Sequence, residues 1–224
     1  MHTPIKKISP DYVIVYGDTS FSMAAANVAE SIKSKIIHLE AGVRDYDYNV
    51  PEELLRIKID EMADYLFAPS DLCICSLSDE QIKGQIFNSG NLIVDVCKKL
   101  SKIALDKPKR KDIPKEYLLL TLHRPENVDD ESNLKLLINH VKKVQYKIVF
   151  PIHPRTKSNL KKYNLEIPPN VILIEPVGYL DFLSLLLNWK IVLTDCGGIQ
   201  EEAIILKKPC ITLRILLLGG KRYC

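Results

Sequence analysis

The chain has 224 residues, 46% of them hydrophobic, enough for one large α/β domain or two small ones with a buried core. Its 31 Lys and Arg against 28 Asp and Glu leave a formal charge of +3, too small a surplus to argue for nucleic acid or a membrane surface, though not for an anionic small ligand. The six cysteines lack the C-x-x-C spacing of a zinc site or a thioredoxin-type motif, the N-terminus has no apolar signal region, and no apolar run approaches the ~18 residues of a membrane span, so reduced thiols and a cytoplasmic location are expected.

Along the chain, short β-rich apolar runs alternate with longer stretches of helical period, the pattern of βα units around parallel sheets. Strands are expected at 12–16, 35–38, 65–68, 117–121, 147–150, 171–174, 191–193 and 210–213, each nearly all apolar, as in a sheet buried on both faces. Helices are expected at 19–34, at 52–63 behind Pro51, at 91–103 and at 132–144, with shorter ones at 156–163, 179–188 and 199–206. The stretch 106–114 reads DKPKRKDIP, whose two prolines and dense charge suit neither helix nor sheet interior. It is expected to link two α/β domains, 1–106 and 115–224, through residues 107–114; a surface loop within one domain is the alternative.

Six constellations sit where strands end and helices begin, the edge at which open α/β sheets place ligands. Tyr16-Gly17-Asp18-Thr19 puts a carboxylate after a tight turn, although an aspartate there is also an ordinary helix cap. His38-Leu39-Glu40-Ala41-Gly42-Val43-Arg44 brings Glu40 and Arg44 to the same edge, and two carboxylates at neighbouring strand ends repel unless a cation intervenes. Pro51-Glu52-Glu53-Leu54-Leu55-Arg56 is equally a plain helix start. After the linker, Thr121-Leu122-His123-Arg124-Pro125-Glu126-Asn127 offers an imidazole for proton transfer and a guanidinium for a phosphate or carboxylate. In Pro151-Ile152-His153-Pro154-Arg155, His153 lines the same edge or is held in a rigid turn. Finally, Asp195-Cys196-Gly197-Gly198 followed by Ile199-Gln200-Glu201-Glu202 starts a helix with paired glycines, which favours phosphate, though the Lys-Ser/Thr of a P-loop is missing.

In their order and spacing, G-D-T, H-x-E-A-G-x-R, P-E-E-x-x-R, H-R-P-E-N, P-I-H-P-R and D-C-G-G-I-Q-E-E resemble the non-hydrolysing UDP-N-acetylglucosamine 2-epimerases from about Tyr12 to Arg214. The resemblance implies a GT-B-like fold of two Rossmann-like domains around a cleft, with the nucleotide on the second domain, and a homodimer when complete. It implies reversible conversion of UDP-N-acetylglucosamine to UDP-N-acetylmannosamine by elimination and re-addition of UDP, without cofactor, metal, nucleic acid or membrane, in a setting such as polysaccharide biosynthesis. Asp18, Glu40 and Glu52 then correspond to catalytic carboxylates, and His123 to the catalytic or substrate-contacting histidine. Cys196, Gly197 and Gly198 receive the phosphates, Glu202 holds the ribose, and Arg44, Arg124, His153 and Arg214 belong with the substrate contacts. Arg124 and His153 fall either at the cleft or at the second, allosteric UDP-sugar site of bacterial members.

The chain departs from the family pattern in three ways. Cys196 stands in place of a serine, exchanging a good hydroxyl donor for a weak thiol. The stretch from Arg44 to Pro51 is shorter than in bacterial members. The family's preceding strand with basic contacts and its R-x-x-T-E-R-P-E type continuation are expected to be missing, since Leu213-Arg214 runs into ILLLGGKRYC as if the reading frame were lost. Three alternatives stay open: an inactive truncated UDP-sugar-binding remnant, a hydrolysing 2-epimerase releasing UDP and N-acetylmannosamine, and a GT-B glycosyltransferase.

Overall fold

The computed structural model describes residues 2–108 and 110–213 in two α/β units, one running through Leu92 and one starting at Ile93. The first contains α1 (His2–Ile8), β1 (Tyr12–Tyr16), α2 (Ser20–Ser31), β2 (Lys35–Leu39), α3 (Pro51–Met62), β3 (Tyr65–Ala68), α4 (Asp71–Asp79) and β4 (Gln85–Asn88). Its four strands are parallel in the order β1-β2-β3-β4, with Ile14 opposite Ile37 and Ile37 opposite Tyr65.

A sheet that grows in one direction through right-handed crossovers carries all its connecting helices on one face. On that face Val15, Ile36, Leu66 and Ala68 pack with Ala25, Ala26 and Ala29 of α2, with Ile59 and with Leu77, the small alanines letting α2 lie close to the strands. On the other face Tyr12, Ile14, Tyr16 and Phe87 are 55%, 64%, 49% and 41% exposed, and the Phe67 and Phe87 rings stack at 5.1 Å. The expectation of strands buried on both faces is therefore corrected here: side chains alternate between a packed face and an open aromatic one.

The second unit begins with α5 (Leu92–Leu105), whose Cys97 and Ala104 enter its core. The division of the chain thus precedes the expected linker at 107–114, where Ile113 packs against the same core. There follow β5 (Leu118–Thr121), α6 (Pro125–Val128), α7 (Glu131–Lys142), β6 (Ile148–Pro151), α8 (Pro154–Lys162), β7 (Val171–Ile174), α9 (Tyr179–Asn188), β8 (Val192–Thr194), α10 (Gly197–Ile205) and β9 (Cys210–Thr212). The parallel order β7-β6-β5-β8-β9 grows both ways from β5, so helices cover both faces. Leu118 and Leu120 face α7 and α8 through Leu134, Ile138 and Leu160, while Leu119 faces Leu183, Leu186 and Ala203 of α9 and α10. Here the strands are buried on both sides, as their composition predicts, and both units have the α/β class of parallel sheets expected of them. Among the described residues no helix is long and apolar enough to cross a membrane.

Candidate functional site

In the first unit the loops after β1 and β2 are held together before any functional group is added. Gly17 takes a left-handed φ of 61° and donates its N–H to the Leu39 carbonyl at 3.1 Å. Thr19, not Asp18, caps α2, its Oγ1 accepting the Ser22 N–H at 3.1 Å. The Asp18 carboxylate instead meets Arg56 Nη2 at 2.5 Å. Glu40 also lies in the left-handed region, at φ 70°, an uncommon conformation for a residue with a side chain. Its Oε2 would stand 3.2 Å from a Cβ at Gly17, so a side chain there would crowd the carboxylate. Glu40 lines a cavity of about 270 Å³ with Tyr16, Leu39, Phe67, Pro69 and Asn91. Glu52 is exposed on the first turn of α3 and is not part of that lining.

Helix α3 supplies the cations and anions that fix these loops, because Glu53, Arg56 and Asp60 recur at helical spacing and point inward. Glu53 accepts the N–H groups of Asp45 and Tyr46 at 3.0 and 2.9 Å and pairs with Arg56 at 2.8 Å. Burial would lower the Arg56 pKa, but Asp18, Asp45 and Glu53 outweigh it and hold the charge. Asp60, fully buried, accepts the Gly42 N–H at 3.1 Å, meets Arg44 at 2.8 Å and lies 2.6 Å from His38 Nδ1, whose other nitrogen is 3.2 Å from the Gly17 carbonyl. Arg44, expected at the substrate, is a strut. Its Nε and Nη2 fork onto Glu80 at 2.7 and 2.6 Å, Nη1 donates to the Val43 carbonyl at 2.8 Å, and the side chain is 1% exposed.

In the second unit β5 and β8 are neighbours from which the chain winds in opposite directions, and the loops after them flank the crevice where such sheets bind ligands. Asp195, 0% exposed, is the hub of those loops. It accepts the backbone N–H groups of His123 at 3.0 Å and Arg124 at 2.9 Å, the Asn127 amide at 3.2 Å, and lies 3.2 Å from His123 Nδ1. Burial opposes its ionisation, yet these donors, His123 foremost, keep its pKa below the usual carboxylate value. Below the hub the Thr121 and Thr194 hydroxyls bond across the strands at 2.6 Å, and the Cys196 N–H donates to Thr194 Oγ1 at 3.0 Å.

Asp195 and, after it, Cys196 raise the His123 pKa to about 9 against the opposing effect of burial. Burial alone would raise the Cys196 thiol, but His123 and the N–H groups of Ile199 and Gly198, which face the sulfur without a regular capping bond, bring it below its ordinary value. A Cβ at Gly198 would meet nothing within 4 Å, so packing does not require glycine and the start of α10 lies open. One turn on, buried Glu202 has a raised pKa because of burial, an effect the Tyr179 hydroxyl partly offsets by hydrogen bonding to it. Arg124 Nε and Gln200 Nε2 are buried without partners among the described residues, the condition of donors awaiting an acceptor. His153 does two things: its Nδ1 accepts the Arg155 N–H at 3.2 Å to cap α8, and its ring lies 5.7 Å from that of His123 on a cavity of about 180 Å³. Arg214 lies outside the described residues. No group of three or more His, Cys, Asp and Glu among the described residues could hold a metal ion.

Three features escape sequence reasoning. The cation that meets the Asp18 carboxylate is Arg56, and its signal is the unusual run of charges at 53, 56 and 60 on one helix face. Asp195 sits inside a quoted motif, yet its burial depends on Asn127 and His123, distant in sequence. The Tyr179 contact to Glu202 carries no local signal at all.

A family model described as UDP-N-acetylglucosamine 2-epimerase matches residues 1–216. The chain is 44% identical over 223 residues to the UDP-N-acetylglucosamine 2-epimerase of Methanocaldococcus jannaschii, covering 93% of this chain and 61% of that one. It is 36% identical to the UDP-2,3-diacetamido-2,3-dideoxy-D-glucuronate 2-epimerase of Pseudomonas aeruginosa, covering 94% and 60%. A crystal structure of the Methanocaldococcus jannaschii enzyme in complex with UDP-GlcNAc and UDP superposes with a TM-score of 0.87 at 42% identity, covering 99% of this chain and 64% of that one.

Proposed function

Since the chain belongs to the UDP-N-acetylglucosamine 2-epimerase family, we propose that it interconverts UDP-N-acetylglucosamine and UDP-N-acetylmannosamine by elimination and re-addition of UDP, without net hydrolysis. The C2 hydrogen of the sugar is not beside a carbonyl, so simple abstraction leaves an unstabilised carbanion. Elimination avoids it: a base takes the C2 proton, the pair forms a C1=C2 bond, and the C1–O bond breaks as the diphosphate leaves with its electrons. Re-addition of UDP at C1 with proton delivery to the opposite face of C2 gives the epimer.

Inversion requires proton removal on one face and delivery on the other, hence at least two acid/base groups. Asp18, Glu40 and Glu52 are assigned those roles, with Arg56 holding Asp18 in place. The second unit takes the nucleotide. Backbone N–H groups at Gly197 and Gly198 receive the phosphates, the unpartnered Arg124 Nε supplies a further donor, and Glu202 holds ribose hydroxyls. His123, protonated at neutral pH by its partnership with Asp195, stabilises charge on the departing diphosphate.

The observation that carries this reading is the pair of carboxylates closing adjacent parallel strands, Asp18 after β1 and Glu40 after β2, the latter in a left-handed backbone conformation. Incubation of the chain with UDP-N-acetylglucosamine in heavy water is expected to give UDP-N-acetylmannosamine carrying deuterium at C2. Product without deuterium, or none from folded protein, overturns the reading, and phosphorus NMR showing net release of UDP replaces it with the hydrolysing reaction.

A further inference from the structure

Two fully buried ionisable side chains, His38 and Asp60, have no task in the proposed reaction, yet polar groups cost stability in a dry core unless they are engaged. Both are engaged with the backbone that carries Asp18 and Glu40. The Gly17 carbonyl belongs to the peptide group that leads into Asp18, and it lies 3.2 Å from His38 Nε2. A carbonyl only accepts, so Nε2 donates to it. The Gly17 N–H in turn donates at 3.1 Å to the Leu39 carbonyl, part of the peptide group that leads into Glu40. Asp60 orients the imidazole through Nδ1 at 2.6 Å, and its second oxygen accepts the N–H of Gly42, just past Glu40, at 3.1 Å. Arg44, itself forked onto Glu80, meets that second oxygen at 2.8 Å.

We infer that the Asp60–His38 pair is a positioning device: it ties the loop of Asp18 to the loop of Glu40 and so fixes the separation of the two carboxylates. The inference rests on the epimerase reading given above, in which one carboxylate removes the C2 proton and another delivers a proton to the opposite face. Elimination needs only the base and a departing diphosphate. Re-addition with inversion needs the second carboxylate in place over C2 while the C1=C2 intermediate is still held. An error in the separation therefore falls on the second half of the reaction. The intermediate then leaves as the unsaturated sugar beside free UDP, and the C2 proton passes from the base to solvent.

His38→Phe keeps a planar ring and removes both of its hydrogen bonds. Its kcat should fall about 100-fold while KM stays within about 3-fold of wild type, because the proposed nucleotide contacts lie on the second unit. The deciding quantity is the ratio of UDP released to epimer formed, read by phosphorus NMR, which should rise about ten-fold or more. Loss of folded protein lowers both products in proportion and leaves that ratio unchanged. Asp60→Asn is the conservative variant: its amide can donate to Nδ1 while its oxygen keeps the Gly42 and Arg44 bonds, so the ratio should stay within about 3-fold of wild type. Amide hydrogen exchange at Gly17, about ten-fold faster in His38→Phe than in Asp60→Asn, reads the tie without any turnover. A wild-type ratio in His38→Phe, whatever its kcat, overturns the positioning role. An Asp60→Asn as disturbed as His38→Phe, or Gly17 exchange equal in the two, overturns the hydrogen-bonded tie. A wild-type chain that forms no epimer removes the epimerase reading and the positioning role with it, while exchange at Gly17 still decides whether the tie exists.

Discussion

Four donors converge on the carboxylate of Asp195: two backbone N–H groups, an amide and an imidazole. Asp195→Asn turns one acceptor into a donor facing N–H groups in a dry site. It should lower stability by about 2 kcal/mol, read as a shifted denaturation midpoint at constant slope. The same pairing makes stability depend on pH with a fixed sign. His123 has a folded pKa raised to about 9 from 6.5, so its contribution is full below about 6.5 and is lost as pH rises through about 9. The loss of stability over that window should shrink in His123→Gln, and equal slopes in both proteins would dismiss the linkage. At this scale the sequence betrays residues whose position follows from a strand end, such as Asp18, Glu40 and His123. It does not betray commitments made across long separations: Arg44 reads as a ligand contact until Glu80 and Asp60 are found to hold its guanidinium.

Helix α2 starts where a threonine side chain meets the Ser22 N–H, leaving the preceding aspartate to an ion pair. Thr19→Ala should therefore cost about 1 kcal/mol of stability, measured by chemical denaturation, and more than Asp18→Ala, which removes no cap. Helix α3 shows why element-level reading succeeds and fails in one place. Its boundary is legible from Pro51 and the acids behind it, whereas its charged inner stripe contradicts the rule that helices bury apolar faces. The short α4 and the edge strand β4, unanticipated from sequence, lack a clear period. The stretch LCICSL alternates without committing to either spacing, and β4 half-buries little beyond Ile86.

At the scale of the molecule, alternating strands and helices announce two parallel sheets, but composition does not announce that one sheet grows in a single direction and the other in two. Apolar strands look alike whether both faces are covered or one. For the same reason the charge cluster at 107–114 resembles a boundary, while α5 ahead of it already packs with the second unit. The chain spans 61% of the length of its Methanocaldococcus jannaschii relative, so properties of that longer polypeptide are tested here and not inherited. The ladder of Tyr12, Ile14, Tyr16 and Phe87 governs how the protein must be handled in the laboratory. Strongly hydrated salts drive apolar surfaces together, so light scattering should climb with ammonium sulfate at concentrations that leave the fold untouched. Ile14→Lys should suppress that scattering while shifting stability by no more than about 0.5 kcal/mol; undiminished scattering would locate the stickiness elsewhere.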